Sequence, residues 1–121
     1  MIIASAREIK DNERIFVGMR LPITAYGVAR LTHAPNAVGL FESGIARYEP
    51  ADGMLYTMCD APNQLGAAWT CGLIQIMGLL SGGRVHAGFI GGAEVDKFGN
   101  INTSYIGDID NPKVKLPGSG G

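Results

Sequence analysis

The chain is short of charge, cysteine and histidine, and each shortage closes a class of function. Only 17% of its 121 residues are charged, and the net charge is −1. Binding to nucleic-acid backbones requires a basic surface, so nucleic acid is not the expected partner. Two cysteines, Cys59 and Cys71, stand twelve apart with no His or Cys beside them; they read as free thiols of a reducing cytoplasm. The histidines are His33 and His86 alone. No cluster has metal-ligand spacing, and no serine elbow, dinucleotide fingerprint or phosphate loop occurs. No apolar run approaches a membrane span. Residues 1–10 have neither a long apolar core nor a cleavage signature, so no signal peptide is read there.

Glycine is what the chain has in excess. Eighteen of 121 residues is about double the usual share of roughly 7%. The glycines gather at Gly82-Gly83, within 88–92 and within 118–121. Short glycine loops between apolar runs suggest a backbone that comes close to something large.

The most informative stretch is Val38-Gly39-Leu40-Phe41-Glu42-Ser43-Gly44. An apolar strand ends there in a carboxylate followed by two turn-prone residues. In an open α/β sheet, ligands bind beyond the carboxyl ends of the strands, where Glu42 would stand. Gly44 would leave room for a substrate to approach. A surface glutamate that merely starts a turn has the same local pattern, and the residues alone leave both readings open.

In chain order, residues 2–10 carry Ile2, Ile3, Ala6 and Ile9 at helical spacing. Residues 14–18 read as a buried strand closed by Gly18, and Pro22 opens a second helix toward His33. The strand 37–41 follows. This α-β-α-β order predicts an α/β fold, an open and mostly parallel sheet with crossover helices. Residues 46–66 are rich in turn formers and predict a long loop, with one short strand at 54–58. The apolar run 66–80 predicts a largely buried helix with Trp69, Leu73, Ile76 and Leu80 inward. A third buried strand is expected over 84–90, then a tight turn at 97–100 and a strand at 101–106. His33 is expected at a helix end and His86 in the core, neither in catalysis. Asp108 and Asp110 read as turn residues that bond their own backbone. Asn102-Thr103-Ser104 matches a glycosylation sequon that means little without a secretion signal. The closing Gly118-Ser119-Gly120-Gly121 is either a frayed tail or a nest of backbone N–H groups suited to an anion.

Three segments in order, "FESG" at 41–44, "FIGGAEVDKFGNINTSYIGD" at 89–108 and "NPKVKLPGSGG" at 111–121, resemble the β-subunit of family I coenzyme A transferases. The likeness is greatest to the glutaconate type and spans essentially the whole chain. It implies a partner α-subunit, in a heterodimer or higher hetero-oligomer, with the active site at their interface. It implies that Glu42 attacks an acyl-CoA thioester and passes through an anhydride to a glutamyl-CoA thioester. Coenzyme A would enter as acyl-CoA substrate, a carboxylic acid would accept it, and no permanently bound cofactor or metal is implied. Ser43 and Gly44, Gly91 and Gly92, and Gly118, Ser119, Gly120 and Gly121 would form the acyl-CoA-binding and oxyanion loops. The resemblance places acid specificity largely on the other subunit. It also implies a β-subunit about twice this length, so 1–121 is expected to be one N-terminal α/β domain ending at a glycine loop. Alternatives on the same fold are an acyl-CoA hydrolase, a CoA-linked ring-cleaving hydrolase, or a non-catalytic assembly subunit.

Overall fold

The computed structural model describes residues 1–118, and the chain divides into two compact units, Met1–Phe89 and Ile90–Gly121. The first unit opens with helix α1 (Ile2–Arg7), strand β1 (Arg14–Val17), helix α2 (Leu21–Leu31) and strand β2 (Val38–Phe41). It continues with β3 (Ile45–Arg47), the short α3 (Ala61–Gln64), β4 (Trp69–Thr70), α4 (Leu73–Ser81) and β5 (Ala87–Gly88). The five strands form one sheet in the order β4-β3-β2-β1-β5. β1 runs parallel to both β2 and β5, while β3 is antiparallel to its neighbours β2 and β4. Four strands therefore share one direction, and α2 is the crossover between the parallel pair β1 and β2.

Alternation along the strands splits the core in two. Ile15, Val17, Phe41 and Ile45 face α1 and α2, where they pack with Ala6, Ala25, Tyr26 and Ala29. Phe16, Leu40 and Ala46 face the opposite way, toward Ile76 of α4. Pro22 falls in the first turn of α2, where its missing N–H leaves no bond unmade. The turn before β2 is fixed by Asp11, which accepts the Asn36 backbone N–H at 2.6 Å and its side-chain amide at 2.9 Å. Those bonds hold the Asp11 carboxyl below the ordinary carboxylate value.

Several expectations are corrected here. Residues 66–80 are not one helix: Trp69–Thr70 pairs as an edge strand with Ile45 and Ala46, and the helix starts only at Leu73. Its apolar residues are not inward either, because Ile76 alone is buried while Leu73, Ile74, Leu80 and Trp69 are exposed. No strand forms at 54–58; that backbone is tied instead to Asp60, which accepts the N–H groups of Tyr56 and Thr57 at 2.7 and 3.0 Å. The strand expected over 84–90 shrinks to the edge pair Ala87–Gly88. His86 is exposed rather than in the core, and its Nδ1 accepts the Arg14 N–H at 3.0 Å. His33 lies just beyond the end of α2, as expected, and its Nε2 donates to the Ile9 carbonyl at 3.0 Å. Both histidines are joints between segments.

The second unit is two hairpins, β6 (Glu94–Val95) with β7 (Ile101–Asn102) and β8 (Tyr105–Gly107) with β9 (Pro112–Lys115). The strand expected at 101–106 is thus divided between them. The turn at 97–100 is present and built by Asp96, which accepts the N–H groups of Phe98 and Asn100 at 2.8 and 2.9 Å. Asp108 likewise accepts the Asp110 N–H at 2.8 Å. The Asn102 side chain joins the hairpins: its amide donates to Glu94 and to the Tyr105 carbonyl, each at 2.6 Å.

Candidate functional site

Glu42 is the first residue past β2, at the carboxyl end of the parallel strands. Val17 pairs with Phe41, Ile45 with Thr70 and Phe16 with Gly88. Residues 18–20, 42–44, 71–72 and 89 consequently leave the sheet at one edge. Glu42-Ser43-Gly44 is a three-residue hairpin loop, closed by the Gly44 N–H donating to the Phe41 carbonyl at 2.9 Å. Gly44 has φ +90°, the left-handed conformation such loops place at their third residue. Glu42 itself is half-buried, and its carboxylate has no hydrogen-bond or ion-pair partner among the described residues. Main-chain geometry thus fixes where residue 42 leaves the sheet.

Gly44 does not serve as open room for a substrate. A Cβ there would collide with the carbonyl oxygen of Cys71, and Gly44 is buried. The vacant face of this glycine is filled by the chain's own backbone. Ser43 is half-buried and donates its hydroxyl to the Met58 carbonyl at 3.3 Å, tying the hairpin to the long loop.

Among the glycines of the second unit, Gly91, Gly92 and Gly118 share one cleft of about 200 Å³ with Thr103, Leu116 and Pro117. The Gly118 N–H donates to the Thr103 carbonyl at 2.8 Å, and Gly118 has φ +93°. Gly91 opens onto free space, whereas a Cβ on Gly92 would meet the side chain of Ile101. Ser119, Gly120 and Gly121 lie outside the described residues.

Two arginines carry roles that the sequence did not announce. Arg47 is 4% exposed, and its guanidinium donates to the carbonyls of Glu49, Pro50, Pro62, Asn63 and Leu65 at 2.6–3.2 Å. One side chain thus anchors the long loop. Arg20 caps α2 at the end of β1 with φ 68° and ψ −115°, a conformation that L side chains rarely adopt. Holding it there costs on the order of 1–3 kcal/mol. Arg20 borders a cleft of about 550 Å³ walled by residues of the 19–24 and 54–57 segments, among them Met19, Leu21, Met54 and Tyr56. Among the described residues, no group of three or more His, Cys, Asp and Glu is placed to hold a metal.

A mixed sheet with a crossover helix and a carboxylate at its carboxyl edge defines an α/β protein with a candidate site at that edge. The chain belongs to the coenzyme A transferase family, whose profile, described as "Coenzyme A transferase", matches residues 1–121. It is 41% identical over its whole length to the β-subunit of the 3-oxoadipate CoA-transferase of Pseudomonas knackmussii, covering 46% of that protein. It is 31% identical to the β-subunit of the glutaconate CoA-transferase of Acidaminococcus fermentans, with 98% of this chain and 46% of that one aligned. The crystal structure of the Acidaminococcus fermentans glutaconate coenzyme A-transferase superposes with a TM-score of 0.82 at 27% identity, covering 98% of this chain and 47% of its counterpart. A structure described as the decarboxylase AibA/AibB superposes with a TM-score of 0.83 at 30% identity, over 97% of this chain and 49% of that one. The chain spans about half the length of the curated relatives it matches. The expected α/β fold and family resemblance are both borne out. Among the described residues, no helix is long and apolar enough to cross a membrane.

Proposed function

We propose that this chain supplies the nucleophilic carboxylate of a coenzyme A transferase, working as a β-subunit beside a partner subunit. The observation that carries the proposal is the placement of Glu42. It stands at the carboxyl edge of the sheet without a partner among the described residues, on a tightly closed loop, in a chain that matches the family throughout. The relatives named for 3-oxoadipate and glutaconate support a carboxylic acid as the acceptor.

The Glu42 carboxylate attacks the thioester carbonyl; the C–S bond breaks and CoA leaves as thiolate, giving a mixed anhydride. The thiolate then attacks the glutamyl carbonyl, the donor acid departs as carboxylate, and a glutamyl-CoA thioester remains. An acceptor carboxylate reverses both steps and leaves with CoA. The glutamyl-CoA thioester lies close in energy to the substrate thioester, which suits exchange rather than hydrolysis. The charge that develops on the carbonyl oxygen calls for backbone N–H donors. Gly91, Gly92 and the 118–121 segment are the candidates on this chain.

The test uses the full-length polypeptide with its partner subunit. Glu42→Ala and Glu42→Gln are expected to lower CoA exchange between acids by about 10⁴-fold. Borohydride treatment after incubation with acyl-CoA should reduce Glu42 to an alcohol, which peptide mass spectrometry locates. Substantial exchange by Glu42→Ala would sink the proposal. The likeness to a decarboxylase favours a second reading, in which the same fold handles an acyl-CoA without moving CoA between acids. Release of carbon dioxide, with CoA still esterified and Glu42 unmodified, would select it.

A further inference from the structure

We propose that the cavity between α2 and the 50–55 segment binds a small uncharged molecule with an apolar body and one hydroxyl group, whose O–H donates to Asn63 Oδ1. The inference does not depend on the transferase reading of Glu42.

Three observations converge. The cavity measures about 440 Å³, a volume usual for ligand pockets. Ile23, Val28, Phe41, Pro50 and Leu55 give it apolar walls, and no charged residue stands among its described lining. An ion would be buried there without a counter-charge, so the ligand is neutral. Second, Asn63 lines the cavity, is fully buried and has one unspent polar atom. Its backbone N–H donates to the Asp60 carbonyl at 2.9 Å, and its own carbonyl accepts from Arg47 at 2.8 Å. Its Nδ2 donates to the Met58 carbonyl at 2.6 Å, which fixes the amide's orientation, since the reverse would set two acceptors against each other. Oδ1 has no partner among the described residues, and a buried acceptor calls for a donor. Third, Gly27 of α2 lines the same cavity, and a Cβ there would meet nothing within 4 Å outside its own helix. Glycine inside a helix lowers stability, and here no close neighbour demands it. Its missing side chain widens the cavity.

A hydroxyl suits this lining better than an amide or a water. An amide would bring a further N–H and a carbonyl into apolar surroundings. A buried water calls for roughly two to four polar partners. Besides Asn63, the polar side chains of the lining are Tyr26, whose O–H is already donated to the Arg47 carbonyl at 2.9 Å, and the exposed Thr24. The walls are built rather than loose. Arg47 donates to the Pro50 carbonyl at 3.2 Å, and the Arg30–Glu49 ion pair at 2.9 Å joins α2 to the start of the segment. Leu31 and Met54 line the cavity while exposed, so its mouth is apolar as well.

The test is calorimetric titration of the full-length polypeptide with its partner subunit. The probes are hexanol and methyl pentyl ether, isomers that differ in having or lacking the donor. Hexanol is expected to bind about five- to tenfold more tightly than the ether. Asn63→Leu should erase that preference and leave the ether within about twofold of its affinity for the parent. Gly27→Leu keeps Asn63 and fills the cavity; it should abolish binding of both probes while raising the thermal midpoint. That variant and the comparison of isomers carry the test if Asn63→Leu fails to fold. A crystal structure of the complex grown with hexanol should place the hydroxyl oxygen about 2.8 Å from Oδ1. Equal affinity for the two isomers, no binding of either, or undiminished hexanol binding in Gly27→Leu would overturn the proposal. So would a crystal structure with an ordered water alone on Oδ1.

Discussion

Cys71 donates its N–H to the Gly44 carbonyl at 2.7 Å, and its own carbonyl closes over the face of Gly44 where a side chain would begin. The pair clamps the β2–β3 hairpin against the start of α4 and so fixes the residue two places earlier, Glu42. Gly44→Ala places a methyl group on that carbonyl at φ +90°. We expect a loss of about 3 kcal/mol from strain and overpacking together. Thermal unfolding measures that loss. A stability change under about 1 kcal/mol would show that the clamp yields.

Arg47→Met keeps much of the side-chain volume and removes the donors. Five loop carbonyls then lose their partner inside a nearly closed site. The expected cost is about 3–5 kcal/mol, since each buried acceptor left bare costs roughly 1–3 kcal/mol and the loop relaxes in part. Limited chymotrypsin digestion should cut at Tyr48, Leu55 or Tyr56 in the variant well before it cuts the parent. Matching digestion patterns would show that the loop is held by something else.

Tyr26 lies over Gly39, meets Phe41 edge-on at 6.1 Å and donates its hydroxyl to the Arg47 carbonyl at 2.9 Å. Burial raises its pKa above the ordinary value of 10.0. The neutral phenol is therefore the form that folding favours. Its contribution is complete below the unfolded pKa and is lost as pH rises through the folded value. Tyr26→Phe should cost about 1 kcal/mol at neutral pH and flatten the alkaline fall in stability. Parent and variant losing stability in parallel above about pH 10 would contradict this.

Asp60 holds the wall of the Arg20 cleft, and the bonds from Thr57 and Tyr56 lower its pKa from 3.8. The ionised form is favoured by folding. Its contribution is present above the unfolded value and disappears as pH falls through the folded one. Asp60→Ala should thus lower the thermal midpoint near pH 6, with the gap to the parent closing as the solution is acidified below about pH 3. A gap that stays constant through acid would show that the Asp60 charge is irrelevant.

What the sequence discloses, and what it hides, follows from the range of the interactions. Pro22, Gly18 and the apolar stretch ending at Phe41 are local signals, and β1, α2 and β2 stand where those signals put them. The apolar run 66–80 misleads because periodicity cannot separate a short strand from a helix. Trp69 and Thr70 are recruited by Ile45 and Ala46, more than twenty positions earlier. β3 is invisible for the same reason: Ile45-Ala46-Arg47 pairs on both sides with other strands, and only those partners make it one. For the candidate site, Glu42 is legible because a carboxylate abruptly ends an apolar strand. Arg47 and Arg20 are not. Nothing in "IARYEP" marks an arginine that bonds five loop carbonyls, and nothing in "GMRLP" marks a positive φ.

The three-residue loop that carries Glu42 also divides labour between the parts of the chain that can change and those that cannot. A hairpin of this length tolerates no insertion without breaking the Phe41–Ile45 register, so the carboxylate has a fixed address. The walls at 19–24 and 54–57 are under no such rule. One is a helix start, whose Ile23 packs against the core, and the other a loop held by Asp60; neither belongs to a strand of the sheet. Substitutions at the exposed positions of those two walls should therefore leave the placement of Glu42 unchanged, which makes them the first positions to randomise in a directed-evolution library.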